Sequence, residues 1–490
     1  MNLPTASRST PALLATDART IGFVHLAVSA LALLAGLVAA LVVQAERLTR
    51  GPTLVGPEGF TRLYAAHGVL MVHLVLVPAL SAVLGNLRLP GELGAENLAF
   101  PRLNRAMLWL FLLGAMGALG GLAGGGLHHW AFDTQVGAMA SGATLVAMSG
   151  VLMLMVSAMV TGLNFMVTVR MRPNARPLSF FAWGLCLMAG VQLVATPVFG
   201  LTVTVAFAER LFGLGLVDPA LGGDPGLYRQ FAWFAGHGTL TATLLPAIGL
   251  ALDHLTAAAR RPVGRRGFAV GALVALAALG LTTWGQHLFF GGQAALADMV
   301  FSLFGLLAAV PAAALVLFGL RLLLQGQVQF TAAALWSTAF LCLFAGGTVA
   351  GLFLSTLGAG GLLVASTFSA GHVHTFVAGG VLFAFMAGLP SALAAPPDAA
   401  TPTGPGAAEP PGGRVAALLA FAGASLAFLP MFAAGLSGMP RRMGEAMAAH
   451  PGLHGLAFLG GLTLAAGLAL AVFGFWRMTA RRVAHPLLRH

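Results

Sequence analysis

Apolar stretches long enough to cross a bilayer fill nearly the whole of this chain. A spanning helix needs about 20 consecutive, mostly apolar residues to cover a hydrocarbon core about 30 Å thick. About twelve such stretches follow one another at even spacing, the first around Ala32 and the last around Ala465. In lipid every backbone N–H and C=O must be satisfied within its own segment. The fold class is therefore all-α, a polytopic membrane protein with about twelve transmembrane helices in one bundle. Only 8% of the 490 residues are charged and 58% are hydrophobic, whereas soluble domains carry about 25% charge. That excludes the several soluble domains that length alone would suggest. The even spacing argues for one domain over residues 1–490. It is interrupted by a Pro/Gly/Ala-rich segment, residues 394–413, which reads as a disordered inside linker. No cleavable signal peptide is evident, because the first apolar segment is long and no A-x-A site follows it closely. No internal repeat stands out.

Every basic residue is arginine, and the net charge is +11. Its distribution follows topology rather than nucleic-acid binding. With the N-terminus inside, the inner loops hold Arg88, Arg102 and Arg105, then Arg170, Arg172 and Arg176, then Arg260, Arg261, Arg265 and Arg266. The tail adds Arg477, Arg481, Arg482 and Arg489, while the outer loops around Trp130, Ala295 and Gly360 hold none. This is the positive-inside pattern, and the chain is expected in a cytoplasmic (inner) membrane of bacterial or archaeal type with its N-terminus inside. Arg47, Arg50, Arg62, Arg441 and Arg442 fall on the outer side and break the rule, which points to another role for them. The two cysteines, Cys186 and Cys342, lie within apolar segments and build neither a disulfide framework nor a thiolate site.

Ionisable groups inside spans are costly and usually functional. His67, His73, His237, His287, His372 and His374 all fall at membrane depth. A single such histidine serves as readily for a hydrogen bond between helices; six together point to metal or haem ligation. In "FSAGHVHTF", His372 and His374 are two residues apart, so they lie about 200° apart around a helix. They cannot easily share one metal, but they can serve two cofactors, one on each side. Gly371, Gly379 and Gly380 leave room for flat macrocycles or neighbouring helices. His67 is the candidate second imidazole for one haem. His237, in "FAWFAGHGTLTAT", and Gln286–His287, in "TTWGQHLFF", suggest a non-haem metal. His128 and His129 form a loop pair read as solvated, since adjacency has little geometric specificity. His25, His254, His450, His454, His485 and His490 carry no spacing signal.

These residues resemble subunit I of the haem–copper oxidases, the catalytic subunit of cytochrome c oxidases, over nearly the whole chain from "TDARTIGFVHL" to the last span. "HGVLMVHLVLVPALSAVLGN" is similar to the family's second helix, "ENLAFPRLN" to the loop after it, and "GGDPGLYRQFAWFAGH" to the approach to its sixth helix. "WGQHLFF" is similar to its W-x-H-H element, with Pro311 at the expected later position, "GHVHTF" to its H-x-H helix, and "AGLSGMPRR" to its propionate-binding loop. The resemblance implies that His67 and His374 ligate a low-spin haem and that His372 is the proximal ligand of a high-spin haem. It implies that His237 and His287, with Gln286 beside them, hold a second metal, copper or iron, facing that haem. It further implies that Arg441 and Arg442 bind haem propionates, for which the arginine fork is suited.

The departures bear on the chemistry. Gln286 replaces the first histidine of the metal pair, and a glutamine carbonyl is a harder, weaker ligand than imidazole. The family's H-P-E-V-Y string is His237-Gly238-Thr239-Leu240-Thr241 here, which removes the cross-linked tyrosine and the glutamate. Only Tyr64 and Tyr228 occur in the chain, and neither is expected at active-site depth. The aspartate before "AFPRLN" is Asn97, beside Glu96; the position of the channel lysine is Leu315; and Glu209 lies near a helix end. Splitting the O–O bond takes four electrons, one of them from that tyrosine in the family. Nitric oxide reductases share the scaffold, lack the tyrosine and need two electrons per N₂O.

The expectation is a non-pumping terminal reductase that reduces NO. One alternative is an O₂-reducing, cytochrome c oxidase-type enzyme in which a tryptophan such as Trp233 or Trp284 supplies the missing electron. Another is a haem protein that transfers electrons or binds gas without turnover. With no cysteine-rich copper site and no C-x-x-C-H motif in the chain, electrons are expected through a partner subunit with a cupredoxin or cytochrome domain, from cytochrome c or quinol.

Overall fold

The computed structural model describes residues 11–49, 53–126, 141–172, 177–260, 264–393, 409–441 and 450–484. Among them, twelve helices are long and apolar enough to cross a membrane. They are α1 (Ala18–Glu46), α2 (Pro57–Leu93), α3 (Pro101–Ala123), α4 (Gly142–Arg170), α5 (Phe180–Phe212) and α6 (Pro225–Ala259), followed by α7 (Arg266–Leu288), α8 (Ala295–Gln325), α9 (Ala332–Ser355), α10 (Thr367–Leu393), α11 (Gly413–Leu436) and α12 (Pro451–Ala480). The expected number and spacing of spans are thus met. Most of the 394–413 linker lies outside the described residues, as do His128, His129 and Arg442.

Local chemistry sets the helix ends. The Asp17 carboxylate accepts the Thr20 N–H at 2.7 Å and starts α1. Ser179, Asp224 and Thr331 cap α5, α6 and α9 in the same way. Proline stands in the first turn of α2, α3 and α6, where no N–H is needed. The α5 start has a second anchor: Asp253 of α6 accepts the N–H groups of Phe180 and Phe181 at 3.0 and 2.9 Å.

Consecutive helices pack side by side, and α12 returns to α1. The α3–α4 contact is close enough that a Cβ on Gly150 would stand 2.2 Å from Ala118 N. Small residues let the backbones meet there, as is common where lipid removes the hydrophobic drive between helices. The most apolar windows of α2, α6 and α10 are 94%, 78% and 78% buried, against 22% for α8. These three helices form the centre of the bundle, and they carry five of the six histidines picked out at membrane depth: His67, His73, His237, His372 and His374.

Two of the central helices depart from α geometry. α2 winds with i→i+5 spacing over Leu70–Leu76 and Ala79–Gly85, and α10 does so over His374–Gly379. Such bulges rotate the side chains that follow them and are common at functional sites. At the end of α7 the chain tightens into a 3₁₀ turn, Trp284–Leu288, that carries Gln286 and His287.

Candidate metal centre in the bundle interior

One internal cavity is lined by His67, His237, Gln286, His287, His372, His374 and Arg441. Every described residue expected at the site therefore faces the same space. Within it they divide into three groups.

His67 of α2 and His374 of α10 face each other with rings parallel to within 2° and centroids 5.9 Å apart. His67 Nδ1 lies 2.9 Å from the Gly36 carbonyl of α1, and His374 Nδ1 lies 2.7 Å from the Ala370 carbonyl one turn back. A nitrogen facing a carbonyl must carry the proton, which leaves Nε2 of each neutral ring as the lone-pair donor. Fixing the tautomer through Nδ1 is what orients a ligating imidazole. The pair fits a haem that would be held between the two rings.

His372 turns the other way, against α9. A Cβ on Gly351 would stand 3.3 Å from its Cε1, so this ring lies over a glycine that gives it room. The ring stacks on Phe376 at 5.2 Å. It is 8% exposed, and its buried Nδ1 makes no hydrogen bond. A neutral imidazole keeps one lone-pair nitrogen, and this buried ring on the cavity wall would offer it to iron. The opposed orientation of two imidazoles two residues apart is thus present.

His237 and His287 form the third group. His237 Nδ1 lies 3.0 Å from His287 Nε2, and His237 Nε2 lies 2.8 Å from Thr283 Oγ1. Two ligands each about 2.0 Å from one metal stand roughly 3 Å apart, so the pair fits a metal bound between its facing nitrogens. Thr283 then supplies the outer hydrogen bond that holds the His237 ring. Trp233 stacks on His287 at 4.4 Å with planes 13° apart. Gln286 does not join the pair. Its Oε1 accepts the Ser355 hydroxyl at 3.0 Å, across to α9. Among the described residues no group of three His, Cys, Asp or Glu is close enough to hold a metal.

Arg441 lines the cavity too. Its guanidinium stands 5.9 Å from the Trp233 ring centre, and its backbone N–H donates to the Ala365 carbonyl. The segment that carries it is pinned beside α10 by Thr367 N–H to the Met439 carbonyl at 2.8 Å.

The departures also have places. Thr241 lines the cavity and gives its hydroxyl to the His237 carbonyl at 2.8 Å. Thr239 is buried, with no hydrogen bond to its hydroxyl. Asn97 ties the start of α1: its Oδ1 accepts from Ala18 N at 3.1 Å, and its Nδ2 donates to the Thr16 carbonyl. Glu209 accepts the N–H groups of Gly215 and Leu216, a structural role. Leu315 packs in the core. Trp284 stands against Phe234 and Phe301 rather than a histidine. Tyr228 is buried against Val205 and Val217. Tyr64 does line the cavity, one turn before His67. The residues that sequence reading missed are the supporting ones, Gly36, Thr283, Gly351 and Ser355. Each acts across helices, and no spacing pattern encodes that.

Twelve helices long and apolar enough to span a membrane, around two imidazole sites and a histidine pair, define a membrane protein whose interior fits haem and a second metal. Residues 20–463 match the family model "Cytochrome C and Quinol oxidase polypeptide I", so the chain belongs to that family, the haem–copper oxidase subunit I proteins. Cytochrome c oxidase subunit 1 of Synechocystis sp. is 28% identical over 94% of this chain and 84% of its own length. The subunit of the same name from Cereibacter sphaeroides is 28% identical over 78% and 68%. The fold is similar to a cryo-EM structure of a heme-copper terminal oxidase dimer, with a TM-score of 0.76 and 17% identity over 94% of this chain and 84% of that one.

Proposed function

We propose that this chain is the catalytic subunit of a membrane terminal reductase that converts NO to N₂O and does not pump protons. The observation that carries the reading is the surround of the His237–His287 pair. It offers a tryptophan, threonines and an amide, with no tyrosine on the His237 helix turn and no titratable group at Thr239. Haem and a second metal would supply electron transfer and gas binding. His67 and His374 would hold one haem, His372 the other, and His237 with His287 the second metal, copper or iron. Gln286 would act from beside the pair, through Ser355.

The chain's own residues then do four things. The backbone carbonyls of Gly36 and Ala370 fix which imidazole nitrogens are free. Thr283 orients His237. The apolar cavity wall keeps bulk water from the gas. Arg441, with Arg442, would pair with haem carboxylates. Forming one N₂O and one water from two NO takes two electrons and two protons, so no side chain has to supply an extra electron. No Lys is present, and Asn97, Thr239 and Leu315 stand where the pumping members carry their relay groups. The protons consumed would pass along threonines, serines and water.

The electron donor is a partner subunit with a cupredoxin or cytochrome domain, fed by cytochrome c or quinol. The Arg-rich loops support an N-terminus on the cytoplasmic side of an inner membrane.

A second reading has its own observation. Trp233 lies flat on His287, so an oxidisable ring stands at the metal pair, and both subunit relatives named above are cytochrome c oxidases. In that reading the enzyme reduces O₂ with Trp233 as the fourth electron donor. Purified complex fed with reductant decides between the readings, with NO and O₂ electrodes on one preparation. NO uptake with N₂O formed and little O₂ uptake is the expected result. Fast O₂ uptake that is lost in W233F with haems intact establishes the second reading. No turnover of either gas leaves a haem protein that binds or transfers without catalysis.

A further inference from the structure

Arg47, one of the arginines that break the charge rule, stands where α1 ends. It is 6% exposed. Its Nη2 donates to the Arg441 carbonyl at 3.4 Å, and its guanidinium lies 5.6 Å from the centre of the Phe60 ring. Its Nε is buried without a hydrogen bond. Among the described residues no carboxylate pairs with it. The adjacent Glu46 is spent elsewhere: its two oxygens accept the N–H groups of Thr53, Leu54 and Val55 at 2.8, 2.8 and 3.3 Å. Burial pulls the Arg47 pKa down from the usual arginine value, and Tyr64 nearby pushes it up.

A buried guanidinium with no anion is costly, and such a charge is retained where an anion completes it. Its surroundings say which anion. Phe60 and Tyr64 are on α2, two turns and one turn before His67. Tyr64 and Arg441 both line the cavity that contains the His67–His374 pair. The cation therefore sits at the end of the paired-imidazole site, on the same side as Arg441 and opposite the inner-loop arginines at the far end of α2.

We propose that Arg47 is a further anchor of the haem held by His67 and His374, pairing a haem carboxylate and setting that haem's potential. The inference rests on the assignment of that haem to this pair. Arg47 is a positioning residue: it touches neither iron ligand. A buried positive charge disfavours the more positive, oxidised iron, so its loss lowers the midpoint potential.

The test is a redox titration of the purified full-length complex, wild type against R47Q and R47K. It is read together with the redox-induced infrared difference spectrum in the carboxylate region. R47Q is expected to keep the low-spin absorbance and to move its midpoint downward. R47K, which keeps charge without the fork, is expected to stay nearer the wild type in potential. Both variants are expected to shift the haem carboxylate bands, so R47K alone carries the test should R47Q fail to accumulate. Unmoved potential and bands with the low-spin haem in place overturn the inference and leave the haem assignment standing. Bands that move only for a phospholipid phosphate, with haem carboxylates unchanged, overturn it too, since the anion is then a lipid. Absence of a low-spin haem from the wild type removes the assignment itself, and the inference with it.

Discussion

Thr283 shows how much of this site depends on residues that are not ligands. Its hydroxyl stands 2.8 Å from His237 Nε2. T283V removes that contact while nearly keeping the volume, and the second metal is expected to bind about 10–100-fold more weakly. Chelator competition followed by metal analysis measures this; unchanged affinity would mean the His237 ring is held by packing alone. Gly351 gives a complementary case. A methyl there would stand 3.3 Å from His372 Cε1, so G351A is expected to perturb the high-spin haem and leave the low-spin spectrum unchanged. The five histidines that line the cavity, His67, His237, His287, His372 and His374, were legible as candidates in the sequence, because an imidazole at membrane depth is expensive and therefore informative. Thr283, Ser355 and Gly36 were not, because threonine, serine and glycine in spans are common and their partners lie on other helices. Gln286 was legible as a departure, but its bond to Ser355 was not, since a residue type does not reveal where its side chain turns.

At the scale of elements, the helix count followed from apolar length alone, while the irregular turns did not. Nothing in "HTFVAG" announces i→i+5 winding. The winding depends on how α10 packs against α2, α9 and α11. The same holds for the 3₁₀ turn that ends α7 and lets the adjacent Gln286 and His287 face different helices. Two substitutions test the packing directly. D253A leaves the Phe180 and Phe181 N–H groups without their acceptor, a loss expected to cost about 2 kcal/mol and to lower the thermal midpoint in detergent. An unshifted midpoint would mean water replaces the carboxylate. G150V places carbon where the Ala118 backbone nitrogen already stands; the variant is expected to accumulate poorly or to lose the α3–α4 contact, as read by protease accessibility.

For the whole molecule, the charge pattern and the structure agree on two different ends. Arg88 bonds Glu92 and Ser391 at one end of α2, and Arg266 bonds the Leu178 carbonyl of the same region. Arg47 and Arg441 meet at the other end. Asn97, Thr239 and Leu315 stand at the positions singled out for relay groups, so under the proposed function non-pumping turnover is the expected behaviour. In vesicles containing the complex, turnover should consume protons without ejecting any, as followed by an external pH dye with a protonophore control; transient external acidification would contradict it. Family membership could be read from long strings spread over the chain, and the comparisons agree with that reading. The substrate could not, because it depends on a few positions where this chain leaves the family pattern.

The claim beneath all of this is that one helix, α10, serves two haems from its two faces. Haem content and spectra of wild type, H374A and H372A test it most directly. The expected result is two haems per chain in the wild type, loss of only the low-spin species in H374A, and loss of only the high-spin species in H372A. A single haem in the wild type, or the same species lost in both variants, would contradict it.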